Sequence, residues 1–231
     1  KLNIEKSTMS RILKTLFEEG FISYLDKSNE IIATDINNRT KDKTRIELIV
    51  KKTKILLEEI HQKTNECAYL GIFDNYKVLY LNQIDKSNRK LKTRNNIGLE
   101  APLHTNALGK SILAFGNYDL EKIKLNSYTH NTITNLENLQ KTLDEVRENG
   151  YSIDNTEYQD TMCCVAVPLF NKQNILIGAV GISGTKDRLN LEKSKEFGKA
   201  LLDIVNNCHI EFAEDLGLPS QSGASFCVCK V

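Results

Sequence analysis

Residues 7–20 repeat the apolar side chains Met9, Ile12, Leu13, Leu16 and Phe17 at the three- and four-residue spacing of a helix with one buried face. The opposite face carries Thr8, Ser10, Arg11, Lys14 and Thr15, and Gly20 ends the pattern. The period then changes. Phe21-Ile22-Ser23-Tyr24-Leu25 reads as a strand, Asp26-Lys27-Ser28-Asn29 as turn residues, and Ile31-Ile32-Ala33 as the returning strand. A basic helix that feeds directly into a hairpin with a charged tip is the recognition helix plus wing of a winged helix-turn-helix.

Charge follows the same line. Residues 1–16 hold Lys1, Lys6, Arg11 and Lys14 against Glu5 alone, a local +3 in a 231-residue chain whose net charge is +1. Lys and Arg so placed neutralise phosphates, and hydroxyls near a helix N-terminus reach phosphate oxygens or base edges. The DNA-facing set this predicts is Lys6, Ser7, Thr8, Ser10, Arg11, Lys14 and Thr15, with Lys27 at the wing tip. The other reading of the same charges is an ordinary solvated helix face. Lys1 is not an initiator Met, and the helices that support a recognition helix do not precede this one, so the expectation is a fragment or a reduced domain.

With 40% apolar residues the chain can bury a sizeable core, and two domains are expected. The longest apolar stretches, such as residues 175–182, fall short of a membrane span, and no basic-then-apolar leader is present, so a soluble cytoplasmic protein is expected. Cys67, Cys163, Cys164, Cys208, Cys227 and Cys229 show no disulfide framework, and reduced thiols are expected.

The polar run Asn37-Asn38-Arg39-Thr40 reads as a break, followed by a linker helix over 41–64 with Ile46, Ile49, Val50, Leu56, Leu57 and Ile60 at helical spacing. Beyond it, 67–73 and 77–81 read as strands paired around Asp74-Asn75-Tyr76. A loop at 98–105, a helix over 106–115, a short helix near 120–125 and an amphipathic helix ending at Gly150 come next. Strands at 151–157, 163–170 and 175–183 and a closing helix from 191 to about 216 complete the pattern. The fold class is α+β, an antiparallel sheet covered by helices. The expected divisions are a partial DNA-binding domain at 1–40, the linker helix at 41–64, a sensor-type domain at 65–217 and a tail at 218–231.

Three stretches together resemble the isocitrate lyase regulator (IclR) family of bacterial transcription factors. They are residues 6–16 with Gly20; Pro102-Leu103-His104-Thr105-Asn106-Ala107-Leu108-Gly109-Lys110; and the run from Gly150-Tyr151 through Asp154 and Glu157 to Cys164-Val165-Ala166-Val167-Pro168, followed by Ile182-Ser183-Gly184. The resemblance covers nearly all of residues 1–217. It implies a truncated winged helix-turn-helix, a linker helix and a GAF-like effector-binding domain, in a homodimer or homotetramer on double-stranded operator DNA. It also implies an effector pocket formed by Ala101, Pro102, Leu103, His104 and Thr105 with Asp154, Cys164, Gly181 and Ser183. Two positions depart from the family pattern: Thr161 stands where Gly is usual, and Gly181 where a small hydroxyl residue is common.

Chemically, Asp154 accepts or, when desolvated, donates a hydrogen bond, Ser183 offers a rotatable hydroxyl, and loop N–H groups hold a carboxylate, so a small organic acid is the expected ligand. Read without the family, Cys164 on a Val-Ala-Val strand is a core thiol, Asp154 a strand-edge cap, and His104 a loop-packing residue rather than a base or metal ligand. An enzyme using Cys163 and Cys164 as a redox pair is a rival. However, neighbouring strand residues face opposite ways, and no basic group lies close in sequence to lower a thiol pKa. A sensor or dimerisation module without DNA binding is a second rival. No cofactor and no metal site is expected, Cys227-x-Cys229 being too isolated for zinc, and neither a phosphate loop nor a nucleophile elbow is present.

Overall fold

A computed structural model describes residues 5–18, 22–24, 31–33, 36–89 and 94–208. Lys27, the tail at 218–231 and the last part of the expected closing helix lie outside these. The chain forms two compact units, Lys1–Leu48 and Ile49–Val231. The boundary falls inside the expected linker helix, whose last two thirds therefore belong with the sheet unit.

In the first unit, helix α1 (Lys6–Glu18) is followed by β1 (Ile22–Tyr24) and β2 (Ile31–Ala33), which pair antiparallel with Ile22 opposite Ala33. Helix and hairpin fall where the change of period places them. On α1, Ser7, Ser10, Arg11, Lys14 and Thr15 are exposed, whereas Met9, Leu13 and Leu16 are half-buried. Ile12 differs from its expected burial and is 40% exposed.

Helix α2 (Ile36–Thr64) starts earlier than the sequence suggests and runs straight through Asn37-Asn38-Arg39-Thr40. Asn and Thr are only mildly unfavourable in helices, and without Gly or Pro nothing in this run forces a stop. Towards its end Ile49, Thr53, Leu56, Leu57, Ile60, His61 and Thr64 are buried, the face that the apolar spacing marks.

The second unit is built on a six-stranded antiparallel sheet of order β5-β4-β3-β8-β7-β6. Its strands are β3 (Cys67–Asp74), β4 (Lys77–Ile84), β5 (Glu100–Pro102), β6 (Ser152–Asn155), β7 (Met162–Phe170) and β8 (Leu176–Thr185). Strands β7 and β8 are apolar along almost their whole length because both faces are covered. Helices α3 (Ala107–Phe115) and α4 (Leu136–Asn149) share a core with Tyr69, Ala166 and Ala179 on one face. Helix α5 (Leu191–Asn207) packs against β7 and β6, where Cys163, Val165, Val167 and Leu169 are buried. Pro168 lies past the Ser152–Ala166 pair, where β7 has lost β6 as a neighbour and a missing N–H is tolerated.

Helix α3 positions the site. Asn106 caps it, accepting from the Gly109 N–H at 2.8 Å, and every residue from Ala107 to Ala114 is buried. Such a helix needs close neighbours on all sides. A Cβ at Gly109 would lie 2.2 Å from the Leu103 carbonyl oxygen and 2.6 Å from its Cα, so the glycine lets the 101–105 loop lie directly on the helix. Helix α4 ends at Gly150, whose φ of +78° is the left-handed cap position that glycine occupies without strain.

Gly109→Ala is expected to destabilise the protein by about 3 kcal/mol or more, because the obstacle is backbone that cannot swing aside. Gly150→Ala, a matter of backbone conformation, is expected to cost about 1 kcal/mol. Urea unfolding of both variants checks the order, and a smaller loss at Gly109 would contradict the close approach.

Candidate functional site

Strand pairing brings distant residues into one row. Asp154 on β6 is opposite Cys164 on β7, Cys164 is opposite Ser183 on β8, and Ser183 is opposite Cys67 on β3. The side chains of one row in a sheet share a face, so this row faces α3. Above it lies a cavity of about 680 Å³, large enough for a small metabolite.

The lining is rich in hydroxyls. Tyr69, Tyr80, Tyr158, Ser183, Thr161 and Thr185 all contribute, and Asn96, Asn106 and Gln159 add amides. Ser183 Oγ donates to the Tyr69 hydroxyl at 3.4 Å, and the Tyr69 and Tyr80 rings meet edge to face at 5.6 Å. Burial, with the nearby Cys164 and Asp154, raises the Tyr80 phenol above its ordinary pKa, so it remains a donor. Ala107 and Leu108, the first two residues of α3, also line the cavity. Their N–H groups precede the first intrahelical bonds and form a partially positive end.

Asp154 sits at the start of a tight turn. Its Oδ1 accepts the Glu157 N–H at 2.7 Å, and Thr156 between them has φ of +59°, a costly conformation for a β-branched residue. The turn is held from two sides. Thr132 Oγ1 donates to the Glu157 carbonyl at 2.7 Å, Thr129 Oγ1 to the Thr156 carbonyl at 2.8 Å, and Asn131 Nδ2 to Thr156 Oγ1 at 2.7 Å. From α3, Lys110 Nζ pairs with Glu157 Oε1; Lys110 is 1% exposed and Glu157 7%.

Burial raises the Asp154 carboxyl to about 7, opposed by the nearby Lys110 charge and reinforced by Glu157. It therefore exists at neutral pH in both protonation states. Burial also pushes the Cys164 thiol well above its usual pKa, and the hydrogen bond it donates to Asp154 acts the same way. A thiol held protonated is a poor nucleophile, which argues against redox chemistry at Cys164. Cys163 points to the other face, as the alternation of a strand requires. Cys67, Cys163, Cys164 and Cys208 are all free thiols.

At the rim are two arginines. Arg94 is exposed, with no carboxylate partner among the described residues. Arg188 binds Glu66 in two-pronged fashion, Nε to Oε1 at 2.9 Å and Nη2 to Oε2 at 3.0 Å. Glu100, also at the rim, is neutralised by Lys77.

Of the site residues named from the family resemblance, Ala101, Asp154, Cys164, Gly181 and Ser183 line the cavity. Pro102, Leu103, His104 and Thr105 do not; they lie under the wall, and the Pro102 carbonyl accepts from Asn106 Nδ2 at 2.6 Å. His104 is fully buried, with Nε2 3.0 Å from the Asn126 carbonyl and Nδ1 unpartnered. Burial lowers its pKa, so the ring is neutral with its proton on Nε2. Nothing in the sequence singles out the cavity residues Tyr69, Tyr80, Arg94, Tyr158 and Arg188. Tyr69 becomes visible only once β3 is known to pair with β8, and Arg188 lies in a turn without periodicity.

The domain is α+β, with a partly open cavity of mixed polar and apolar lining against its sheet. Residues 44–209 match the model of the bacterial transcriptional regulator IclR C-terminal domain, and the chain belongs to the IclR family. It is 30% identical over 206 residues to the HTH-type transcriptional regulator KdgR of Escherichia coli, covering 85% of this chain and 77% of that protein. The crystal structure of the KdgR C-terminal domain superposes with a TM-score of 0.60 at 30% identity, covering 69% of this chain and 94% of that one. The Thermotoga maritima IclR structure gives 0.65 at 26% identity over 88% of this chain and 84% of its own. No helix among the described residues is long and apolar enough to cross a membrane.

The raised Asp154 pKa sets a pH dependence. A carboxyl whose folded pKa lies above its unfolded value near 3.8 stabilises the fold fully below that value, and the contribution is lost as pH rises towards 7. Asp154→Asn keeps an acceptor for the Glu157 N–H and cannot ionise. The variant is expected to flatten the fall in stability between pH 5 and 8 and to be about 1–3 kcal/mol more stable than the parent at pH 8. Urea unfolding across that range checks this, and an unchanged slope would contradict a buried, neutral-favouring Asp154.

Proposed function

We propose that this chain is a cytoplasmic DNA-binding regulator of transcription whose C-terminal domain binds a small organic acid. The partly open, hydroxyl-rich cavity above the Asp154–Cys164–Ser183 row supports the reading most strongly. Protonated Asp154, Ser183 and the tyrosines supply donors, Cys164 and Gly181 supply a small surface, Ala101 and the α3 N-terminus close one side, and residues 102–105 hold that side in place. A carboxylate is favoured because the cavity offers N–H and O–H donors and rim guanidinium groups, while Glu100 is neutralised.

The DNA-reading element in this proposal is α1 with the β1–β2 hairpin as a wing. Arg11, Ser10, Lys14, Ser7 and Thr15 are exposed on the helix, Thr8 is half-buried, and Lys6 and Lys27 join them by position in the sequence. The protein acts as a homodimer or homotetramer on operator DNA, and the effector works by favouring one arrangement of α2 over another.

Sites selected from a random DNA pool by the full-length protein, followed by gel shift, test the first half. Arg11→Ala is expected to cost about 1–3 kcal/mol of specific affinity, and unchanged affinity at fixed salt would remove Arg11 from the contact set. A thermal-shift screen of small carboxylic acids tests the second. Ser183→Ala is expected to weaken a stabilising acid by roughly twofold to tenfold through the loss of one hydrogen bond. Stabilisation unaffected by both Ser183→Ala and Asp154→Asn would place the ligand elsewhere, and turnover of the acid would make the protein an enzyme.

A further inference from the structure

Arg188 has two neighbours of different kinds. It lines the cavity, and it is bound to Glu66, which lies outside the lining and is 4% exposed. Three of the five guanidinium N–H bonds are committed, two to Glu66 and one to Thr185 Oγ1 at 2.8 Å. One N–H on each terminal nitrogen remains. Glu66 does not depend on Arg188 alone, since Arg89 donates to it from Nη1 at 2.7 Å and Nη2 at 3.3 Å. Two guanidinium groups share one carboxylate, so Glu66 alone does not neutralise both. The other acids acting on Arg188 are Asp85 and Asp187, and neither lines the cavity.

Glu66 is tied at its other end to α2. The His61 Nε2 accepts the Lys86 N–H at 3.1 Å, which leaves the proton on Nδ1 to be donated to the Glu66 carbonyl at 2.7 Å. Thr64 Oγ1 accepts the Glu66 N–H at 3.3 Å and donates to the Ile60 carbonyl at 2.7 Å. The backbone of Glu66 is thus gripped by the last turns of α2, and its carboxylate by a residue of the cavity wall. One residue joins the two.

We propose that Arg188 anchors the acid group of the effector and that Glu66 transmits occupancy of this anchor to the last two turns of α2. This rests on the organic-acid reading of the cavity. A carboxylate on the free N–H bonds competes with Glu66 for the guanidinium, and Arg89 keeps Glu66 neutralised while the shared contact loosens. The movement is passed through the His61 and Thr64 hydrogen bonds into α2, which continues without interruption past Leu48 into the first unit. Arg94, exposed at the rim, attracts the anion without carrying the signal.

The test uses the full chain with sodium glycolate, gluconate, succinate and benzoate, each against its uncharged amide. Calorimetry reads affinity, and hydrogen–deuterium exchange reads the amides of residues 58–64. At least one acid is expected to bind at least about tenfold more tightly than its amide, and Arg188→Met to weaken it by about 10- to 100-fold. Arg188→Lys, which keeps the charge and loses the fork, is expected to fall between, and serves if the Met variant does not fold. At saturating acid, Glu66→Gln is expected to lose the acid-induced change in exchange at 58–64. Full affinity in the folded Arg188→Met or Arg188→Lys variant would overturn the anchor while leaving the organic-acid reading intact. An unchanged exchange response in Glu66→Gln would overturn the transmission. Acids that bind no better than their amides would overturn the organic-acid reading and this proposal with it.

Discussion

The site depends on a buried ion pair. Lys110 is the only charged residue in α3, a helix buried on every side, and a charge in that position is costly unless it is paired. Glu157 provides it from the turn after β6. Such a pair adds little net stability, since two desolvated charges roughly cancel their attraction, but removing either partner leaves an uncompensated buried charge. Its consequence is positional. It fixes the end of α3, which lines one side of the cavity, against the turn whose first residue, Asp154, lines another.

That fixed geometry explains the behaviour of Asp154. The Glu157 N–H favours its ionised form, and so does the Lys110 charge, but burial outweighs both and the carboxyl titrates near neutrality. The cavity therefore has an uneven electrostatic character: a carboxyl that can donate a proton in a hydrogen bond at its floor, and permanent cations at its rim. A ligand with both an acceptor and an anionic group satisfies both ends without leaving a buried charge unpaired.

Much of this fold is legible in the sequence, for local reasons. Leu139, Leu143 and Val146 mark α4, Gly150 marks its end, and Asn171-Lys172-Gln173-Asn174 marks the β7–β8 turn, because helix spacing and turn chemistry are properties of short segments. The start of α2 is not legible, because the residues at 37–40 are polar without being helix breakers. Only the family resemblance, not local physics, groups Asp154, Cys164, Gly181 and Ser183; their adjacency depends on the pairing of β6, β7 and β8. Tyr69, Tyr80 and Arg188 are not legible, because nothing local distinguishes them from ordinary strand and turn residues. The rule that neighbouring strand residues face opposite ways did separate Cys163 from Cys164, since it needs no knowledge of partners.

Lys110 and Glu157 hold two walls of the cavity as a coupled pair. A double-mutant cycle with Lys110→Met and Glu157→Gln, read by urea unfolding, measures that coupling. Each single substitution is expected to cost about 3–5 kcal/mol, and the double variant to recover much of that loss because it leaves no lone buried charge. Strictly additive losses would show that the pair does not couple the two walls.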